Sequence, residues 1–388
     1  MRLLRITLAL TALVCALQAA DTVKIGNVVP YTGAFSEYGA TGKAEAAYFQ
    51  MINDRGGING RKIDFISLDS GSDTAKAVAL ARQLVEQDQV LLTIGIWGTP
   101  ANLAIRQYMN DQKTPQLFVN ATDSAFDDPA HFPWTMGFQP SKRVEALVYA
   151  RYVLRHKPGA KVAMLYGRDP SSGEWRQGIR GGLGDKASTM IVKEAAVDYS
   201  DPQGLDARIV ALKNSGADVF MNLVVGRLAT HAIRKAYEIG WRPLEFIPNA
   251  SLPMVALLEP GGREKAAGTI SNARSKSWLT AEAQQDPEVR AFVEWMHKYN
   301  AEANLRDASY VYGYEVAEAT VEVLKKCGPD LTRANVMKQA ASLDLTLSML
   351  RPGIRVTTGP ADYQPIKQLY LIRFDGRDWA PLSDPIGN

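Results

Sequence analysis

Five short stretches of this chain carry residue types suited to holding a small molecule. They are residues 32–38, Trp97-Gly98-Thr99-Pro100, Asn120-Ala121-Thr122-Asp123, Val225-Gly226-Arg227 and Asn249-Ala250-Ser251. Each follows an apolar run of strand length. Free backbone N–H groups near Thr99 and Thr122, together with the positive ends of the following helices, suit a carboxylate. Gly98 lets a ligand approach the main chain. Trp97 and Tyr38 could close over an apolar or aromatic body, sandwiching it. Each residue also has a plainer reading. Thr99 fits the N-cap of its own helix with Pro100 as the first helical residue; Trp97 fits a core or rim, and Arg227 a solvated helix start. Asn120-Ala121-Thr122 and Asn249-Ala250-Ser251 match the glycosylation triplet, which is common by chance. Recurrence of such residues at strand ends favours a site more than any one of them does.

The chemistry on offer is non-covalent. The sequence has no Gly-x-Ser-x-Gly elbow, no His-Glu-x-x-His, no Walker loop and no Gly-x-Gly-x-x-Gly after the first strand. His131, His156, His231 and His297 are scattered without metal-ligand spacing, and His156 lies in a polar helix end. No cofactor, metal or catalytic residue is expected.

The elements that must position these stretches alternate along the chain. Strands are expected at 23–29, 62–68, 90–96, 116–120, 161–166, 190–195, 218–225, 245–248 and 268–273. Helices are expected between them at 40–54, 74–87, 100–111, 142–156, 205–215 and 228–239. Continuous Val/Ile/Leu strands alternating with amphipathic helices are the pattern of parallel βαβ units, an α/β fold. Ligands then gather beyond the carboxyl ends of the strands, where these stretches lie. Gly56-Gly57-Ile58-Asn59-Gly60 reads as a turn whose glycines supply positive φ. After about Gly268 helices dominate, at 287–300, 310–326 and 332–342, before a C-terminal hairpin at 367–374 turning on Asp375-Gly376. No flexible linker is present, and the first passage between two domains is expected near 136–140.

Composition and targeting narrow the setting. Arg2 and Arg5 precede an apolar run at 6–17, the pattern of an export signal, too short to span a membrane. Cleavage is expected after Ala20, with Val14-Cys15-Ala16 as a second small-residue option. Removing Arg2 and Arg5 leaves 42 basic against 41 acidic residues. That balance argues against a nucleic-acid surface. Only Cys15 and Cys327 exist, so no intrachain disulfide is expected after export and the fold relies on its core. About 370 mature residues exceed a single core and suggest two domains.

The opening Ile25-Gly-Asn-Val-Val-Pro-Tyr-Thr-Gly33 with Tyr38-Gly39, then Asn53-Asp54-Arg55-Gly56-Gly57-Ile58-Asn59-Gly60-Arg61, resembles periplasmic solute-binding proteins of the branched-chain amino acid type. So do Asp69-Ser70, Ala79-Leu-Ala-Arg-Gln-Leu-Val-Glu-Gln87, Gly137-Phe138-Gln139-Pro140 and Ala236-Tyr-Glu-Ile-Gly-Trp241. The resemblance covers essentially the whole mature chain. It implies a type I periplasmic-binding fold: two doubly wound α/β lobes joined by three crossing segments, with the ligand in the cleft. The implied division is 21–139 with 268–350 as one lobe, and 140–267 with 351–388 as the other. It implies a periplasmic monomer that delivers its ligand to the membrane permease of an ABC importer. It places the ligand carboxylate at Gly98-Thr99 and Asn120-Ala121-Thr122, with Tyr38 as the flanking aromatic.

The sequence also departs from that family. Amino-acid binders of this type hold the α-ammonium with an acidic residue in the second lobe, and the nearest equivalent here is Asn249, with Ser251 beside it. An amide cannot offset a buried ammonium as a carboxylate can. The second-lobe aromatic is missing around Val225-Gly226-Arg227, and the loop Arg168-Asp169-Pro170-Ser171-Ser172-Gly173 also differs. An apolar or aromatic carboxylate is therefore expected. An amino acid is the alternative ligand; a secreted enzyme or a ligand-presenting sensory subunit is the alternative function.

Overall fold

The computed structural model describes residues 22–169, 172–198, 203–252, 260–279, 281 and 283–387. The expected export signal at 1–20 lies outside the described residues, as do positions 170 and 171 of the 168–173 loop. The chain begins with β1 (Val23–Val29), α1 (Ala40–Asp54), β2 (Ile63–Asp69), α2 (Thr74–Glu86), β3 (Leu92–Ile94), α3 (Thr99–Asp111), β4 (Gln116–Val119) and β5 (Thr135–Gly137). The five strands pair in parallel in the order β2-β1-β3-β4-β5. Val23, Ile25, Val28 and Val29 of β1 are all buried, as a strand covered on both faces requires. The turn between α1 and β2 takes φ of 107°, 82° and 80° at Gly56, Gly57 and Gly60.

A second set follows: α4 (Lys142–His156), β6 (Val162–Gly167), α5 (Gly173–Leu183), α6 (Ala187–Met190), β7 (Ile191–Val197), α7 (Leu205–Asn214), β8 (Val219–Leu223), α8 (Arg227–Glu238), β9 (Leu244–Phe246), α9 (Pro260–Ala266) and β10 (Ile270–Ala273). Three helices come next, α10 (Pro287–Tyr299), α11 (Ser309–Cys327) and α12 (Arg333–Ala340). The short pair β11 (Asp344–Leu345) and β12 (Val356–Thr357) precedes β13 (Gln368–Phe374), β14 (Trp379–Pro381) and β15 (Ile386–Gly387). The second sheet runs β14-β13-β10-β9-β8-β6-β7, parallel from β7 to β10 and antiparallel beyond.

The parallel parts of the two sheets have the same winding, β2-β1-β3-β4-β5 and β7-β6-β8-β9-β10. In such sheets the strand order reverses beside the first strand, and the crevice beyond the carboxyl ends there is where ligands sit. Those points lie between β1 and β3 in one lobe and between β6 and β8 in the other. Their loops carry Tyr38, Trp97 and Gly98 on one side and Arg227 on the other.

Each sheet has its own core. α1, α10, α11 and the segment through Ile366 pack against the first sheet, and α4 and α5 against the second. The strand Ile270–Ala273 pairs with β9 and β13 in the second sheet. Ile354, Val356, Tyr363 and Ile366 are buried with the first core. Cys327 is buried and unbridged. No helix among the described residues is long and apolar enough to cross a membrane.

Candidate functional site

The loop after β1 is built as a fixed platform. Thr32 donates its N–H and its hydroxyl to the Asp69 carboxylate at the end of β2, at 3.1 and 2.6 Å. That hydroxyl is the main reason the Asp69 carboxyl is held down at about 2. The Phe35 N–H donates to Ser72 Oγ, which donates in turn to the Thr32 carbonyl. So anchored, the loop presents Phe35 and Tyr38, which are 45% and 40% exposed. Both rings pack on Trp97, at centroid distances of 5.0 and 5.1 Å. This corrects one expectation: Tyr38 and Trp97 touch each other, so a ligand ring has no slot between them and can stack only on the outside of the group. Phe35 is the member that sequence reading passed over, although it lies in the same loop.

Trp97 and Asn120 form a parallel bridge beyond the ends of β3 and β4, and the Gly98 N–H donates to the Asn120 carbonyl at 3.1 Å. Gly98 has φ 96° and ψ 130° and is itself the cap of α3, accepting the Asn102 N–H at 3.1 Å. Thr99 is thus the first helical residue and not the cap, because the glycine conformation tightens the turn by one residue. Its hydroxyl takes no partner among the described residues. Pro100 has no N–H, so the donors left at this helix start are those of Thr99 and Ala101. Asn120 and Ala121 are nearly buried and Thr122 is half-buried. Gln139 Nε2 donates to Asn120 Oδ1, Gln364 Nε2 donates to the Gln139 carbonyl, and the Lys142 N–H donates to the Thr122 carbonyl. These bonds tie residues 120–122 to the first passage between the lobes.

In the second lobe the expected residues split. Arg227 begins α8 and is exposed, and its guanidinium has no partner among the described residues. Asn249 lies deeper in its own lobe: its amide donates to the Asn272 carbonyl at 2.7 Å and its N–H to Glu145 Oε1. Ser251 is fully buried and its hydroxyl donates to the Val224 carbonyl at 3.4 Å, a local role. Of Arg227, Asn249 and Ser251, only Arg227 has a polar side-chain group without a partner among the described residues.

A contact between the lobes had no signal in the sequence. Ser124 donates its N–H to both Glu174 oxygens, at 2.9 and 3.2 Å, and its hydroxyl to one, at 2.8 Å. Burial pushes the Glu174 carboxyl up to about 7, the neighbouring Asp123 charge adds to that, and the Ser124 bonds oppose it. Two hollows, of about 310 Å³ beside Lys24, Arg61 and Arg333 and about 230 Å³ beside Asp206 and His231, lie away from these residues. No group of three or more potential metal ligands exists among the described residues.

The profile of a family described as periplasmic binding protein matches residues 22–378. An amino acid binding protein of Pseudomonas aeruginosa is 24% identical over 211 residues, 52% of this chain and 53% of that protein. The match thus spans about half the length of that relative. A Leu/Ile/Val-binding protein homolog 1 of Brucella abortus is 25% identical over 320 residues, 79% of this chain and 83% of that one. A solute-binding protein of an ABC transporter from Rhodopseudomonas palustris, solved with 3,4-dihydroxybenzoic acid, superposes with a TM-score of 0.71 at 18% identity. That superposition covers 94% of this chain and 97% of the other, a likeness of fold.

Proposed function

The chain belongs to the periplasmic binding protein family, and on that premise we propose that it captures one small organic carboxylate between its lobes and delivers it to an ABC importer. The family is one of binding proteins for transporters rather than enzymes. We assign residues 22–139 with 274–366 to the first lobe and 140–273 with 367–388 to the second. The observation that carries the ligand reading is the exposed Phe35–Trp97–Tyr38 group beside the start of α3. An aromatic or apolar body stacks on these rings while its carboxylate takes the N–H groups of Thr99 and Ala101 and the hydroxyls of Thr99 and Thr122. Arg227 faces the same crevice from the second lobe and receives a distal acidic or acceptor group. The amide at Asn249 and the buried Ser251 give no counter-charge for an α-ammonium.

An amino acid is the second reading, favoured by the names of the relatives and by the Asp123 and Glu174 carboxyls next to Thr122. Against it, Glu174 is already engaged by Ser124. A thermal-shift screen of carboxylic acids and amino acids separates the two, with each hit recovered and checked for chemical change. A stabilising acid returned intact supports the proposal; steady product formation contradicts it.

A further inference from the structure

We propose that Glu174 is a positioning residue of the cleft: by accepting the N–H and hydroxyl hydrogens of Ser124, it clasps the second lobe to the segment after β4 and holds residues 120–122 in the closed arrangement. The inference rests on the binding reading above, but it concerns how the cleft is held and not what fills it.

The two sides of the clasp are each fixed to their own lobe. Ser124 starts the 3-10 turn Ser124–Phe126, two residues past Thr122, and Phe126 is buried. Asp123 accepts the Ala125 N–H at 3.0 Å, which sets the turn. Glu174 lies in the first turn of α5, whose next residue, Trp175, is buried and donates Nε1–H to Glu145 Oε2 at 3.2 Å. Further along, a Cβ on Gly178 would come within 2.4 Å of the Arg143 carbonyl oxygen, so α5 lies directly against α4. The clasp thus requires that parting of the lobes break all three Ser124–Glu174 bonds.

The clasp also brings two acids together, because the Asp123 side chain is within hydrogen-bonding reach of Glu174. The other charged groups around this turn are Arg106, which donates to the Ala125 carbonyl at 2.6 Å and interacts with Asp123; Lys142, 5.3 Å over the Trp175 ring; and Asp169, which accepts the Ser172 N–H. With the Ser124 contact made, the Glu174 carboxyl is raised from 4.5 to about 7, chiefly by burial. Closure therefore takes up a proton between those values. The closed state gains as pH falls through about 7, levels off below about 4.5, and is weakest above 7. One proton gives at most about a tenfold change in the closing equilibrium per pH unit.

Because the clasp acts without ligand, the test uses the ligand-free protein. Spin labels on Asp111→Cys and Lys193→Cys, both exposed and on opposite lobes, report the distance between lobes, while Cys327 is buried. Pulsed dipolar measurements compare pH 5.5 and 8.5. The unsubstituted Glu174 protein should shift to the short distance at pH 5.5. Glu174→Gln keeps one acceptor oxygen for the Ser124 N–H and hydroxyl without the charge and should stay short at both values; Glu174→Ala should be long at both. A Glu174→Ala distribution matching that of the Glu174 protein at both values, or a distance independent of pH before substitution, overturns the proposal. If 3-phenylpropanoate and the other acids fail to bind, the ligand reading falls while this distance readout still decides the clasp.

Discussion

Replacing Gly98 by alanine separates backbone conformation from packing at the turn that begins the site. A Cβ built on Gly98 meets nothing within 4 Å, so crowding contributes no cost. Its φ of 96° with ψ of 130° lies where side-chain-bearing residues rarely go. Holding alanine there costs about 1–3 kcal/mol. The chain can escape only by turning to negative φ, which swings away the N–H that meets Asn120 and re-aims the first turn of α3. Urea unfolding of Gly98→Ala should show a loss of that size, and calorimetry with the best acid should show weaker binding. Gly181→Ala is the matched control. Gly181 is an exposed position of α5, also with nothing within 4 Å of a Cβ, and its φ is not positive. There alanine should stabilise by roughly 0.5–1 kcal/mol. Two substitutions with the same open space and opposite signs isolate φ as the cause. An unfolding midpoint for Gly98→Ala equal to that of the parent protein would refute the reasoning.

Thr99→Ala should weaken ligand binding by about 1–3 kcal/mol and leave stability nearly unchanged, since the hydroxyl caps nothing; calorimetry and urea unfolding read the two effects, and unchanged affinity removes Thr99 from the site. Gly178→Leu should destabilise by at least about 1–3 kcal/mol through overpacking, because its Cβ would press on the Arg143 carbonyl and the Ala146 methyl; a stable variant means α4 and α5 can separate. Burial raises the Glu245 carboxyl to about 7. The folded state thus binds the proton more tightly than the unfolded one, and stability should fall as pH rises from about 4.5 through 7. Glu245→Gln, which can keep the Asn222 contact, should reduce that slope in urea midpoints taken at pH 5 and 7.5; an unchanged slope assigns it to other carboxyls.

Most of the fold was legible because its apolar periodicity is strong. β1, α1 and α4 begin and end at the expected residues. α5 was not legible. Glycines at 173, 178, 181 and 182 weaken its helix propensity, yet Gly178 and Gly182 are what allow close contact with α4. β5 has only three residues, too few for a period. At the site, the first-lobe segments could be found because they follow strong strands. The stacking of Tyr38 on Trp97 could not, since it depends on how the Asp69 anchor tilts the loop. Glu174 meets Ser124 across 50 residues of sequence, with no local pattern to announce it. Asn249 and Ser251 sit at a strand end as expected, but there they serve their own lobe.

Calorimetry on one matched pair, 3-phenylpropanoate against phenylalanine, tests the central claim most directly. The two share ring, chain and carboxylate and differ by the α-ammonium. The proposed crevice, with helix-start donors, exposed rings and Arg227 and, among the described residues, Glu174 and Asp123 already engaged, should bind the plain acid more tightly, at one molecule per chain. Tighter binding of phenylalanine would contradict the account and would mean that Glu174 or Asp123 serves the ligand instead of the clasp.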